Sequence, residues 1–199
     1  MAPPRLSRIQ QQQATRERLM DAAAEVFGRL GYGGASVDLV AAEAGFSKGA
    51  VYSNFPNKEA MFLGLLERHM ETDLAELERI VALAPGEMMA AVGHWLETMH
   101  ADIDCPLLIT ELQLHARRSP DFAEKYYALQ SRQTAVLSRI LEAYFVARKR
   151  PVPLDIADLA ASLTALAHGL TLQRPKARPG APSDAGRIIE ALLRALARE

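Results

Sequence analysis

The residues best suited to chemistry lie close together in one short stretch, residues 47–58, which reads SKGAVYSNFPNK. It carries hydroxyl groups, amides and two ammonium groups, although 49% of the chain is apolar. Ammonium and hydroxyl groups bind phosphate oxygens, and hydroxyls and amides hydrogen-bond to the edges of bases. The stretch is therefore typical of a nucleic-acid-binding surface, although a solvated helical hairpin without a specific role would have a similar composition.

Other chemistry finds little support in the sequence. Glu111 and His115 stand four residues apart, a spacing that permits an ion pair or a metal contact on one helix face. A single such pair without further ligands is more often a surface interaction. The chain has no glycine-rich phosphate loop and no nucleophile with a recognisable partner. We therefore expect neither an enzyme nor a metal or cofactor site.

The polar stretch needs helices to position it, and local signals predict them. Ser36 precedes an apolar-rich helix that ends at Gly45, where a left-handed backbone permits a sharp turn. Ser47 then caps a second short helix, which Pro56 ends. Within it, Val51 and Phe55 are four residues apart and face the core, so the polar side chains face outward. The pattern predicts a helix-turn-helix.

The remaining chain also follows helical periodicity, and no alternating run of β-branched residues predicts a strand. We predict an all-α fold of about nine helices. Three regions are expected, listed here in chain order: a flexible arm over 1–13, a helix-turn-helix domain over 14–58, and a larger helical domain over 59–199. Further helices are predicted over about 87–101, 106–117, 119–148, 154–173 and 184–197.

Charge and cysteine content indicate the partners and the cellular location to expect. Residues 1–58 hold seven basic and five acidic side chains, whereas the whole chain has a net charge of −1. This small basic excess fits an N-terminal segment that meets phosphate. One cysteine cannot form an intramolecular disulfide, and no apolar run approaches a membrane span. The N-terminus lacks the pattern of a signal peptide. We expect a cytoplasmic protein without a membrane partner.

The helix-turn-helix segment resembles a known family. ASVDLVAAEAGFSKGAVYSNFPNKEAMF, preceded by RERLMDAAAEVFGRLGYGGAS, is similar to the DNA-binding region of the TetR family of transcriptional regulators. The match is continuous over residues 16–62, about a quarter of the chain. The remainder resembles the ligand-binding domains of that family only in its helical character.

The resemblance implies roles for individual residues. The positions that commonly touch phosphate in the family are Ser36, Ser47, Lys48, Tyr52 and Lys58. The positions that face bases or allow close approach are Gly49, Ala50, Ser53 and Asn54. Arg16 and Arg18, at the first helix, match positions where members place phosphate or minor-groove contacts.

The family also implies a homodimer on a palindromic DNA operator and a small-molecule effector that releases the DNA. The dimer surface is expected on the last two helices, at Leu159, Leu163, Leu166, Leu170, Ile188, Leu192 and Leu196. Candidate ligand-lining residues are Trp95, Met99, Thr110, Glu111, Leu114, Tyr126, Tyr127 and Gln130. The alternative is a helical protein-interaction module without specific DNA binding.

Overall fold

The architecture is all-α, as the sequence predicts. A computed structural model describes residues 7–98, 105–173 and 184–197. The described residues form nine helices: α1 Arg8–Gly34, α2 Val37–Ala44, α3 Lys48–Asn54, α4 Lys58–Val81, α5 Pro85–Thr98, α6 Cys105–Ala116, α7 Pro120–Ala147, α8 Ile156–Gln173 and α9 Ala185–Leu196.

The first helix begins earlier than the predicted arm allows. Ser7 accepts a hydrogen bond from the backbone N–H of Gln10, and the Gln10 side chain accepts one from the N–H of Ser7. This reciprocal capping satisfies two amide groups at the helix start. The glutamine run at 10–13 is therefore helical, and the prediction of a flexible arm is wrong over residues 8–13. Residues 1–6 lie outside the described residues.

Gly31 bends α1 near its end. Its φ of 67° and ψ of 176° lie outside the helical region, and the chain then regains a helical turn up to Gly34. A residue with a side chain would be strained at this positive φ. Gly31 thus kinks the helix, and the kink turns Tyr32 toward α6.

Two separate cores hold the helices together. The first core joins α1, α2 and α3 to the start of α4, to α6 and to the start of α7, with Leu19, Phe27 and Val51 fully buried. The second core joins the end of α4, α5, the rest of α7, α8 and α9. The first core thus includes α6 and part of α7, so packing does not divide at the predicted boundary after residue 58.

Helices α5 and α9 approach each other very closely. A Cβ atom placed on Gly186 would collide with the backbone carbonyl of Gly93. Only a glycine permits this backbone separation, because any side chain would displace one helix from the other. The crossing fixes α9 against α5 at one end of the second core.

Within the described part of the chain, no helix combines the length and the apolar character that a membrane crossing requires.

Candidate DNA-binding surface

The turn between α2 and α3 sets the angle of the hairpin. Gly45 adopts the left-handed conformation, with φ 68° and ψ 32°, as its position in the sequence predicts. The N–H of Phe46 donates to the carbonyl of Ala41 at 2.9 Å, which closes the turn. Val40, Ala41 and Val51 are buried against α1. Because these contacts fix both helices, the outer face of α3 has one defined orientation.

Serine side chains cap both helices of the hairpin. The Oγ of Ser36 accepts from the N–H of Leu39 at 3.2 Å, and the Oγ of Ser47 accepts from the N–H of Ala50 at 3.2 Å. Each serine hydroxyl keeps its own proton for a further partner. Ser47 is exposed, so the positive end of α3 faces solvent, where an anion is favoured.

The outer face of α3 is polar and shallow. Lys48, Tyr52 and Ser53 are exposed. Ser53 and Asn54 both bond to the carbonyl of Ala50 at 2.8 Å, so their side chains rest against the helix. A Cβ on Gly49 would meet no atom closer than 3.8 Å, so nothing in the protein requires glycine there. Ala50 is half-buried beside it. Small residues at this face let the backbone approach another molecule.

Lys48 has an acidic neighbour on α2. Its Nζ lies 2.7 Å from Oδ1 of Asp38, and both side chains are more than half exposed. The hydrogen bond to Asp38 and its negative charge raise the pKa of Lys48. The pair holds the ammonium group above the hairpin, within reach of a phosphate beside the N-terminus of α3.

The two arginines of α1 brace the hairpin. Arg16 donates to the carbonyl of Asn54 at 3.0 Å and its guanidinium lies 4.2 Å from the centre of the Phe55 ring. Arg18 bonds to the carbonyl of Ala44 at 3.4 Å and covers the ring of Phe46. Each cation thus lies at the C-terminal end of a short helix, where a positive charge is favourable. Arg18 is exposed and Arg16 is half-buried.

Lys58 does not project from the surface as the sequence suggested. Its Nζ lies 2.9 Å from the carbonyl of Ala35 and also bonds the carbonyl of Tyr32, with the Tyr32 ring 4.2 Å away. Burial lowers the pKa of Lys58, and the Glu111 carboxylate opposes this effect. Lys58 thus joins α4 to the loop before α2, and its contact with phosphate stays a prediction.

A polar network at the foot of α4 was not predicted from the sequence. Nε2 of His115 lies 2.6 Å from Oε1 of Glu59, and the Glu111 carboxylate accepts a hydrogen bond from the N–H of Tyr32. Burial, with a contribution from the Glu59 charge, raises the pKa of Tyr32 to about 12. Glu111 and His115 thus bond across to the hairpin side of the first core instead of to each other. Their spacing gave no sign of these distant partners.

The predicted ligand residues are scattered. Trp95 lines a small apolar cavity in the second core, whereas the other predicted residues that the structure describes lie outside that cavity. Glu111 contacts Tyr32, and the buried Tyr126 bonds to Gln130 in the first core. Leu114 and Tyr127 are exposed, and Thr110 is half-buried on α6. Met99 lies outside the described residues.

The predicted dimer residues divide into two groups. Leu159 is buried within the protomer and Leu163 lines the cavity, so Leu159 is corrected to a core residue. Leu192 and Leu196 are exposed by 42% and 41%. The half-buried members are Leu166, Leu170 and Ile188. The exposed members leave an apolar edge on α9.

The fold and this surface define a helix-turn-helix protein with a larger helical domain. Residues 19–65 match the family model described as bacterial regulatory proteins, tetR family. This segment therefore carries the DNA-binding domain of the TetR family of transcriptional regulators.

Curated relatives agree. An HTH-type transcriptional repressor of Streptomyces coelicolor is 28% identical over 130 residues, which are 61% of this chain and 66% of the relative. An HTH-type transcriptional repressor of Mycobacterium tuberculosis is 29% identical over 149 residues, covering 72% and 74% of the two chains. The first match thus spans slightly less than two thirds of the relative.

Solved structures share the fold along nearly the whole chain. A tetR-family regulatory protein from Rhodococcus RHA1 is 26% identical, with a TM-score of 0.68 over 92% of this chain and 95% of the other. The regulator FadR from Bacillus subtilis, solved with stearoyl-CoA, is 20% identical, with a TM-score of 0.73 over 92% and 97%. This second likeness shows the fold alone.

Proposed function

We propose that the protein is a homodimeric repressor that binds an operator through α3 and releases it when a small molecule binds the larger helical domain. The observation that carries the proposal is the outer face of α3. This face carries a small residue at Gly49 and polar residues at Tyr52 and Ser53. The turn at Gly45 and the buried Val51 fix its orientation. An α-helix presented in this way fits the major groove.

Phosphate contacts are assigned to the exposed polar groups around this face. Lys48 and Tyr52 flank it, and the Ser36 and Ser47 hydroxyls lie at helix N-termini, where backbone N–H groups also favour an anion. Ser53, Asn54, Gly49 and Ala50 are assigned to the side facing the bases. Arg16 and Arg18 position the hairpin, with Arg18 exposed enough to reach a phosphate as well.

A dimer follows from the geometry of DNA. One short helix contacts too few base pairs to select a site, whereas two related by a two-fold axis read half-sites about one turn apart. The edge of α9 with Leu192 and Leu196, continued by Ile188, Leu166 and Leu170, is proposed as the contact between protomers. Such an operator would be palindromic.

The test starts from a random-sequence duplex library, because it requires no prior operator. Selection by the full-length protein should enrich a palindromic sequence, and mobility shifts should then be measured with variants at fixed salt. We expect Lys48→Ala and Tyr52→Ala each to weaken binding roughly tenfold, the loss expected for one charge-assisted or polar contact.

Matched controls lie on α7. Lys125 is exposed, and Tyr127 is 47% exposed, as is Tyr52. Lys125→Ala and Tyr127→Ala should leave the affinity for the selected DNA unchanged. The logarithm of affinity should also fall steeply with the logarithm of salt concentration. A library with no enriched sequence, or a flat salt response, would favour a protein-interaction module instead.

A further inference from the structure

A small apolar cavity lies in the second core, between α5, α7, α8 and α9. Its volume is about 40 Å³. Apolar side chains form nearly all of its wall, among them Met89, Val92, Trp95, Leu141 and Ile189. None of the DNA-facing residues is near it. The cavity is therefore a separate feature of the larger helical domain.

The cavity is too small for a regulatory ligand as it stands. Pockets that hold drug-sized molecules have volumes of roughly 300–1,000 Å³, so a ligand of that size requires the cavity to enlarge. Occupancy must move part of the wall. A ligand that binds only the opened arrangement shifts the protein toward it, as a two-state switch requires.

Helix α8 forms the least bulky part of the wall. It contributes Leu163, Thr164 and His168, all half-buried, and the buried Ala160 and Ala167. Helix α9 is held against α5 by the backbone contact of Gly186 with Gly93, and cannot move closer to it. Small residues on α8 also leave little side-chain bulk to displace when a ligand enters.

The chemistry of the wall excludes a charged ligand. Among the described residues that line the cavity there is no lysine, arginine, aspartate or glutamate. Its polar groups are the Thr164 hydroxyl, which donates to the carbonyl of Ala160 at 2.9 Å, and the His168 imidazole. Burial lowers the pKa of His168, which keeps the ring neutral at pH 7. An ionised group placed here would lose its hydration without gaining a counter-charge.

We infer that the effector is an electrically neutral, mainly apolar molecule that occupies an enlarged form of this cavity. Its one small polar group would face Thr164 and His168. The inference rests on the proposed function in that the molecule is taken as the signal that releases DNA. Binding to the cavity is measurable without DNA.

The protein carries its own reporter for this site. Trp95 is the single tryptophan of the chain and lines the cavity. The full-length protein should be titrated at pH 8 with 1-decanol and with decanoate, which share a chain length and differ in charge. We expect 1-decanol to change the Trp95 emission in a saturable way and to raise Tm. Decanoate should require at least tenfold higher concentration.

A filling variant and its control locate the binding. Ala167 is buried in the wall, whereas Ala161, on the same helix, is exposed and outside it. Ala167→Val should weaken the 1-decanol response at least fivefold, and Ala161→Val should leave it unchanged. Ala160→Val fills a second wall position and should weaken the 1-decanol response as Ala167→Val does. If one of these two variants folds poorly, the other provides the test.

The outcomes separate the two proposals. Failure of 1-decanol to alter Trp95 emission or Tm, or an equal response to decanoate, overturns the inference, as does insensitivity to both filling variants. Selection of an operator would then still support the repressor. Conversely, a saturable 1-decanol response without any enriched DNA supports the neutral-ligand site and contradicts the proposed repressor function. With both present, 1-decanol should release the selected DNA.

Discussion

The two cores of this molecule are built differently. In the first core, aromatic rings interlock: the Phe27 and Phe62 centroids lie 4.5 Å apart, and the Tyr32 and Phe62 centroids 4.9 Å apart. The hydrogen-bonding contact between Glu59 and His115 lies at its edge. The second core is mainly aliphatic and contains a cavity of about 40 Å³.

The difference runs along the same two helices. Helix α4 places Met61 and Phe62 in the first core and Leu77 and Ile80 in the second, and α7 is divided in the same way. Neither core is completely filled, because a pocket of about 30 Å³ also lies at the first core, between α4 and α6. The helices that present the DNA-binding surface rest on the core with the interlocked aromatic rings.

The same substitution should cost more in the first core than in the second. Leu19 is fully buried in the first core, and Leu141 lines the cavity of the second. We expect Leu19→Ala to lower the free energy of unfolding by about 4–5 kcal/mol and Leu141→Ala by about 2–3 kcal/mol, within the usual range for this change. A residue beside a void has fewer contacts to lose. Urea unfolding of both variants measures the difference, and equal losses would show that the cores are equally tight.

The α5–α9 crossing provides a rigid point inside the second core. Gly186→Ala should lower the free energy of unfolding by about 1–3 kcal/mol or more, because the new methyl group meets the Gly93 backbone, which cannot rotate away. Gly169→Ala on α8 is the control, since a Cβ there meets no atom within 4 Å. It should be neutral or stabilising by up to about 1 kcal/mol. Similar changes in the free energy of unfolding for the two variants would show that the α5–α9 crossing does not constrain the packing.

The smallest predicted effects concern the pH dependence of the free energy of unfolding. A group in the second core should lower stability as pH falls, and a group in the first core should lower it as pH rises. Burial lowers the pKa of His168 in the second core, so the unfolded chain binds its proton more readily. Stability from this group is present above the ordinary value of 6.5 and decreases as pH falls below it. Burial raises the pKa of Tyr126 in the first core to about 12, so its contribution decreases as pH rises from 10 toward 12.

A separate variant tests each of these two pH dependences of stability. His168→Gln should flatten the unfolding free energy below pH 6.5 without changing the alkaline limb. Tyr126→Phe should flatten the alkaline limb alone, by at most about 1.4 kcal/mol per pH unit. Chemical denaturation across the pH range measures both. A change on the opposite limb would contradict the assignment of that group to its core.

The helix-turn-helix was predictable because its signals are local. Ser36, Ser47 and Asn57 cap the helices that follow them, and Gly45 takes the left-handed turn, as sequence position alone suggests. Each of these features depends on hydrogen bonds between residues at most five positions apart. The early start of α1 was also encoded locally, in Ser7 and Gln10, but the glutamine run favoured a disordered interpretation.

Features that depend on distant contacts were missed. Lys58 turns inward because the carbonyls of Tyr32 and Ala35 lie beside it only in the folded chain. Leu159 belongs to the second core because α8 is apolar on two sides, and spacing does not distinguish core from edge. The cavity is likewise formed by side chains from four helices. Of the predicted ligand residues that the structure describes, only Trp95 lines it.

The Lys48–Asp38 pair has a consequence for how such a protein would search DNA. Any phosphate that binds Lys48 must compete with a carboxylate already 2.7 Å away, and this competition is the same at every DNA sequence. The charge attraction common to all sites is thereby weakened. Only a sequence that also fits the face around Gly49 and Ser53 recovers the loss. The carboxylate would thus shorten residence on the many wrong sites of a chromosome. Because the same cost applies at the operator, the ratio of specific to non-specific binding would still be set by the fit of the α3 face.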